Sequence, residues 1–546
     1  MEYGFVETDI VEDLGHALSP LSFEPVREMT VDEAFEHLDR YPNDMIMAFH
    51  VQDLIEKKGI KSADVARFSS NPAFVSSFMT AKTLSYDEEQ KLSVHPDPSV
   101  RAYVKNKREN GMLNRLAEIE NSGARDSRAM GEYLSILSDL AGDEMTMERV
   151  GIQSIPFGIE NSDHDLGTSL REHVLGDTYK IIAKESIVEK LGVIYIKTME
   201  TMGTHGSGIV RRCRISSPDM PMTITGLIPQ GGKGVTEKHA IVSALMETVE
   251  RFSAEMRSLD GWPSYYESDP CLIKGRYSEM TKDFEDVLDP NRCAMNCRYD
   301  DEAIYWARGN MHDGREIYVP ADRVFYPLFV DAPFFGSDTS GISSGNTIND
   351  AKLQSLLEII ERDSHYHSYS KKDYRLAAGD GLLSNVLGKY DECGMDLMLR
   401  ESTSEFGIPV FEAYSYLGSS MVHGYGADLN AKRAIIRAVC ELNCQIAGLK
   451  DMGLNIKGSP PNELKKYPVL DIGDVPDFSS GSVRQDVNMI EKLMEKNGYD
   501  VIYADLTVKD IGIPVVRSII PGLEAQNYSR RIFSHLHEAV KNKYCS

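Results

Sequence analysis

Apolar residues between Thr236 and Glu255 recur with helical spacing: Val242, Leu245, Met246 and Val249 fall at i, i+3, i+4 and i+7 and make one stripe. Thr236 stands where an N-cap belongs. The stretch NTINDAKLQSLLEIIERDS (Asn346 to Ser364) repeats the design, with Leu353, Leu356, Leu357 and Ile360 as its stripe. Thr347 can cap it, with Asp350 three residues on as an imperfect capping box. A third helix, NAKRAIIRAVCELNCQ, carries the stripe Ile436, Val439 and Cys440, with Arg437, Glu441 and Gln445 beside it at i, i+4 and i+8. Strand-like runs alternate with these helices: GVIYIKTM, EIYVPADRVFYPLFV, IPVFEAYSYL, MVHGYGADL, DVIYADLTV and IPVVRSII. This texture predicts an α+β domain over residues 176–530.

The preceding residues read differently. Residues 1–157 carry helical patterning without strand-rich segments and predict an all-α domain that binds a substrate or partner. Within it FSSNPAFV is echoed by LSVHPDPSV, and Pro72 and Pro96 each open a helix. HPDPSVRAYVKNK resembles HEAT-like or leucine-rich-variant helical repeats, which stack into a concave binding face; a plain bundle is the alternative. The polar, glycine-containing stretch 158–175 reads as a linker, and 531–546 as a closing helix and tail.

The two acidic helices superpose without a gap. SALMETVER lies over QSLLEIIER, so that Glu247 matches Glu358, Glu250 matches Glu361 and Arg251 matches Arg362. A single acidic helix face is ordinarily solvated. Here, both helices place their acids on the flank of the buried stripe, at the same phase. Packed side by side, they would face four carboxylates towards each other, a repulsive arrangement unless cations lie between them. Magnesium suits such hard oxygen ligands, completed by water and phosphate oxygens, and nearby arginine and lysine could touch the phosphates.

Composition narrows the partners. A net charge of −25 over 546 residues argues against a nucleic-acid binder and against docking on anionic lipid. No apolar run is long enough to span a bilayer, and the acidic start lacks a basic n-region. Eight cysteines in this length do not suggest a disulfide scaffold, which points to a cytoplasmic protein. The CxxxC pairs Cys293/Cys297 and Cys440/Cys444 lack the tight knuckles of structural zinc. GLIPQGGKGVT nearly makes a P-loop, but Lys233 is followed by Gly234 and stands one residue too far from Gly226. Its GGKG is expected to be a flexible, amide-rich loop that brings a cation to phosphates.

GKGVTEKHAIVSALMETVER, SSGNTINDAKLQSLLEIIERD, GADLNAKRAIIRAVCELNCQ and IPVVRSIIPGLE together resemble the YcaO family in order and spacing over about residues 190–525. The resemblance implies a non-Walker, magnesium-dependent ATP site. It places the metal ligands on Glu247, Glu250, Glu358 and Glu361, the nucleotide contacts on Lys233, Ser243, Asn346, Asp350, Arg362 and Arg437, and Glu441 and Gln445 at the catalytic positions. Some members have Glu where this chain has Asp350, which keeps the charge and shortens the reach. The implied chemistry is ATP-dependent phosphorylation of a peptide or protein backbone amide oxygen, giving an azoline or a thioamide. Azoline-forming members often end in a proline-rich tail; HEAVKNKYCS lacks one, so thioamidation is expected, as in archaeal members that modify methyl-coenzyme M reductase. Those members commonly need a sulfur-delivering partner, and a homodimer is plausible on family grounds. The alternatives are an azoline-forming cyclodehydratase and a non-catalytic ATP-binding accessory of a ribosomal-protein methylthiolation type of enzyme.

Overall fold

The computed structural model describes residues 2–5, 23–40, 47, 50, 51, 54, 178–180, 182, 185–217, 220–255, 266, 268, 270–293, 299, 301–326, 338–367, 372–377, 381–404, 406–417, 420–451 and 466–523. In chain order the elements are β1 (Glu2–Phe5), β2 (Phe23–Pro25), α1 (Val31–Arg40), α2 (Glu185–Lys190), β3 (Val193–Thr201), β4 (Thr204–Ser217), β5 (Met220–Gly234) and α3 (Glu237–Ala254). There follow β6 (Leu272–Gly275), α4 (Tyr277–Asp283), β7 (Ile304–Met311), β8 (Glu316–Pro320), β9 (Ile342–Ser344) and α5 (Ile348–His367). The last group is β10 (Lys372–Leu376), α6 (Leu382–Glu392), β11 (Met398–Glu401), β12 (Val410–Leu417), β13 (Ser420–Ala427), α7 (Ala431–Asp451), β14 (Val469–Leu470), α8 (Val483–Lys496), β15 (Ile502–Asp505) and β16 (Val515–Ile519).

These strands form three sheets. The first has the order β2-β1-β5-β4-β3, the second β6-β7-β15-β16-β9 with β8 added on β7, and the third β13-β12-β11-β10-β14. Helix α3 packs on β4 and β5 and reaches β9; α5 packs on β9, β16, α8 and β13; α7 packs on β12 and β13 and also meets β3, β4 and β5. The three helices that carry the candidate chemistry therefore sit where the three sheets converge. The mixed α and β architecture is the one expected.

Most of each apolar stripe is buried; Met246, Leu353 and Ile436 are only partly so, and Ile435 takes the core place expected for Ile436. Val242, Leu245 and Val249 are core, as are Leu356, Leu357 and Ile360, and Cys440 is 4% exposed, a packing residue. The hairpin β3–β4 turns through Met202 and Gly203, both at positive φ, as a tight two-residue turn requires. Asn443 of α7 donates to Met202 O and Thr204 Oγ1, which ties that turn to the helix.

Two expectations change. The run EIYVPADRVFYPLFV is strand only to Pro320, after which Ala321–Arg323 is a 3₁₀ turn; proline ends the ladder by withholding a donor. Residues 1–157 are not wholly helical: α1 is present, but β1 pairs antiparallel with β2 and in parallel with β5. The first strand thus shares a sheet with Lys233, and a four-residue run is too short for periodicity to reveal it. The Pro72/Pro96 repeat, the linker 158–175 and the closing helix lie outside the described residues. Among the described residues no helix is long and apolar enough to cross a membrane.

Candidate functional site

Lys233 does not sit in a flexible loop, as expected, but on β5. A Cβ at Gly232 would lie 2.1 Å from the Ala244 nitrogen and 2.4 Å from the Ala240 oxygen, so only glycine lets the strand lie this close to α3. Gly424 repeats the device on β13, where a Cβ would meet the Leu442 nitrogen of α7 at 2.2 Å. These approaches draw the acidic flanks of both helices towards the strands.

The Lys233 ammonium donates to Glu441 Oε2 at 2.6 Å, and the Tyr425 N–H donates to the same oxygen at 3.3 Å. Burial opposes the charge on Lys233, but Glu441 and Glu361 outweigh it and hold the ammonium above the ordinary lysine range. Burial likewise works against ionised Glu441, yet Lys233 and Arg362 keep it below the usual carboxylate range. Glu361 accepts from the Ala427 N–H at 2.9 Å. Glu250 accepts from both the N–H and the hydroxyl of Ser344 at 2.8 Å. Each arginine of the repeat serves its own helix, with Arg251 3.4 Å from Glu247 and Arg362 3.9 Å from Glu358. Burial works against both arginines, but Glu250 and Glu358 of the other acidic helix also hold Arg251 charged, and Glu361 and Glu441 do so for Arg362.

The acids therefore share one region, linked through these bases. Burial pushes Glu250 up to about 7, against the pull of Arg251. It pushes Glu358 up to about 7 as well, against Arg362 and Arg251. Arg437 donates to Gln354 of α5 at 2.5 Å and faces Lys233. Ser243 lies one turn before Glu247 on α3 and is partly exposed.

Other expected residues are engaged elsewhere. Asn346 accepts from the Thr178 hydroxyl at 2.6 Å. Asp350 completes the capping box of α5, taking the Thr347 N–H at 3.0 Å and its hydroxyl at 2.9 Å. Gln445 is exposed one turn beyond Glu441. Sequence reasoning missed the backbone amides of Tyr425 and Ala427, which carry no side-chain signal, and the Ser344 clamp. It also missed the buried pair Arg517–Asp338 (3.1 Å), whose charges bear on Glu358; an arginine inside the apolar run IPVVRSII was the available signal.

These residues fit a cation and a polyphosphate. Two half-buried acids have pKa values raised by desolvation, and Arg251 Nη1 and Arg362 Nε are buried donors without partners. Among the described residues, no three His, Cys, Asp or Glu side chains are gathered so as to hold an ion by themselves. The four glutamates thus do not converge into the single cluster expected from the helix phases, and a magnesium ion here would take one or two of them and complete its shell with water and phosphate oxygens.

A sequence model of the YcaO family, described as YcaO cyclodehydratase, ATP- and Mg2+-binding, matches residues 231–524. An uncharacterized protein of Methanothermobacter thermautotrophicus is 26% identical over 385 residues, 63% of this chain and 94% of its own length. An uncharacterized protein in the tfuA 3' region of Rhizobium leguminosarum bv. trifolii is 25% identical over 332 residues, 54% of this chain and 76% of its own. Among solved structures, YcaO from Methanopyrus kandleri bound with AMPPCP and Mg2+ has a TM-score of 0.50 and 26% identity, covering 64% of this chain and 91% of that one. A heterocyclase in complex with substrate and cofactor shares the fold, with a TM-score of 0.51 and 21% identity; 64% of this chain matches it, over 52% of its length. The chain belongs to the YcaO family, whose domain binds ATP and Mg2+.

Proposed function

We propose that this protein activates a peptide or protein backbone amide with ATP and Mg2+, and that the product is a thioamide. The observation that carries the reading is the set of Glu247, Glu250, Glu358, Glu361 and Glu441, buried at Glu361 and half-buried at the others, interleaved with Lys233, Arg251 and Arg362. The chain spans nearly the full length of the Methanothermobacter thermautotrophicus and Methanopyrus kandleri proteins and only about half of the heterocyclase. Azoline formation is the second reading.

Glu247, Glu250, Glu358 and Glu361 would hold Mg2+, which when bound neutralises charge on phosphate oxygens. The chain's own residues do the rest by positioning and electrostatics. Lys233, held charged by Glu441, and Arg362 present cations to the phosphates, with Arg437 beside them. Ser243 is a nucleotide contact in this reading, Asn346 and Asp350 would have to leave Thr178 and Thr347 to join it, and Gln445 and Glu441 are assigned to the amide.

Mass comparison of proteins from strains with and without the gene tests the product. Oxygen-for-sulfur exchange adds about 16 Da to one peptide and cyclodehydration removes about 18 Da. Neither shift, together with ATP binding that never leads to turnover when peptides and sulfide are supplied, would favour the accessory role.

The raised acids make binding pH-dependent. Below about pH 7 Glu250 and Glu358 are largely protonated in the free protein and must shed protons to take a cation. Affinity for Mg2+ with a non-hydrolysable ATP analogue is therefore expected to rise from about pH 6 to about pH 8, with proton release measurable by calorimetry in buffers of different ionisation enthalpy. The sign for stability is opposite. Folded values above the reference of 4.5 mean stability that is full below about pH 4.5 and lost as pH rises to about 7, so the bound nucleotide should stabilise more at the higher pH.

A further inference from the structure

Among the described residues β13 is the outer strand of its sheet, and Ala427, Tyr425 and His423 follow one another at alternate positions along it. The Ala427 N–H holds Glu361 and the Tyr425 N–H holds Glu441, so this strand edge is one wall of the ATP and metal site. His423 is the next residue in the row. Its side chain shares a sheet face with Tyr425, while Val422, Gly424 and Gly426 face α7 on the other side.

On that face the His423 ring lies 5.0 Å from the Tyr425 ring. His365, four residues beyond Glu361 on α5, meets Tyr425 edge-on at 4.5 Å. Beneath His423 lies Glu412 of β12, its side chain only 4% exposed. Glu412 Oε1 stands 3.5 Å from His423 Nδ1 and accepts from the Tyr425 hydroxyl at 3.2 Å; Oε2 accepts from Arg400 at 3.0 Å. Nδ1 is shut off from solvent and makes no hydrogen bond, so that Glu412 bears on it through charge alone, whereas the side chain as a whole is 40% exposed. Nε2 is therefore the nitrogen a substrate can reach. A buried carboxylate behind one imidazole nitrogen, with the other presented outward, is the arrangement of an oriented base.

We propose that the acceptor peptide binds beside His423, Tyr425 and His365, and that His423 is the base for the sulfur-transfer step, with Glu412 as its positioning residue. This rests on the amide-activation reading above. Hydrosulfide adds to the amide carbon, forming C–S as the carbonyl π pair moves to oxygen. That oxygen takes the γ-phosphoryl group, and the P–O bond to ADP breaks. His423 Nε2 removes the S–H proton, C=S forms, and C–O breaks. The departing phosphate then takes the proton from His423. Amide, hydrosulfide and ATP thus become thioamide, ADP and hydrogen phosphate, with no oxidant or reductant.

The groups facing His423 are Glu412 and Tyr414 from β12, Arg400 from β11, Tyr425 from its own strand and His365 from α5. The test uses the full chain with ATP, Mg2+, sodium sulfide and a synthetic peptide copying the sequence found modified in the strain comparison. His423→Gly should lower thioamide formation by about 10²–10⁴-fold, the usual span for a general base, and remove the acidic limb of the pH profile. Added imidazole should restore part of the rate. Glu412→Gln should shift the limb with a smaller loss of rate. A glycine variant with the wild-type rate and limb overturns the proposal. So does a loss that is equal at every pH and unmoved by imidazole, which marks a packing role. Wild-type protein that forms no thioamide or azoline on any peptide overturns the amide-activation reading itself, and the role of His423 with it.

Discussion

Glu358→Gln is expected to lower ATP turnover by at least about a hundredfold, because a lost metal contact removes several kcal/mol of transition-state stabilisation. The substitution keeps the shape and removes the charge. Glu358 already sits near half-protonation at neutral pH, since burial raises it to about 7, so folding should tolerate the neutral side chain. The predicted signature is therefore lost phosphate release with little change in thermal midpoint. Glu247→Gln, its counterpart on α3, should behave alike. Unchanged turnover in both variants would sink the proposed metal site.

The largest stability effect should come from a pair that the chemistry does not use. Arg211 of β4 and Glu255, the C-cap residue of α3, form an ion pair with both side chains fully buried. The pair pins the end of the acid-bearing helix to the sheet. Glu255→Ala leaves a buried guanidinium without its carboxylate, expected to cost about 3–5 kcal/mol. Replacing both residues by methionine should recover much of that loss, because two desolvated charges disappear together. Denaturant midpoints of the Glu255→Ala and the double variant decide this; a Glu255→Ala protein within about 1 kcal/mol of wild type would show that water reaches Arg211.

The acid repeat was legible because helical phase is a local property. Glu247 and Glu358 hold the same place against their stripes, and that phase can be read without a partner. The structure extends the repeat to the caps, since the Thr236 hydroxyl accepts from the His239 N–H as the Thr347 hydroxyl accepts from the Asp350 N–H. The glycines before Lys233 misled, because glycine-rich sequence signals a turn as readily as a close approach. Only the proximity of α3 to β5 distinguishes the two. The Arg437–Gln354 contact and the row Ala427, Tyr425 and His423 on β13 were likewise beyond local reading.

By itself, then, the sequence determined the amphipathic helices, the matched acids and their caps, and the family to which they belong. All of these depend on spacing within one segment. Tertiary structure alone decided which groups meet: Lys233 with Glu441 across 208 positions, Glu250 with Ser344, Glu361 with a backbone amide of β13, and Glu412 behind His423. The physical reason is that helical phase follows from covalent geometry, whereas charge pairing, desolvation and the pKa values they raise exist only once distant segments exclude water together.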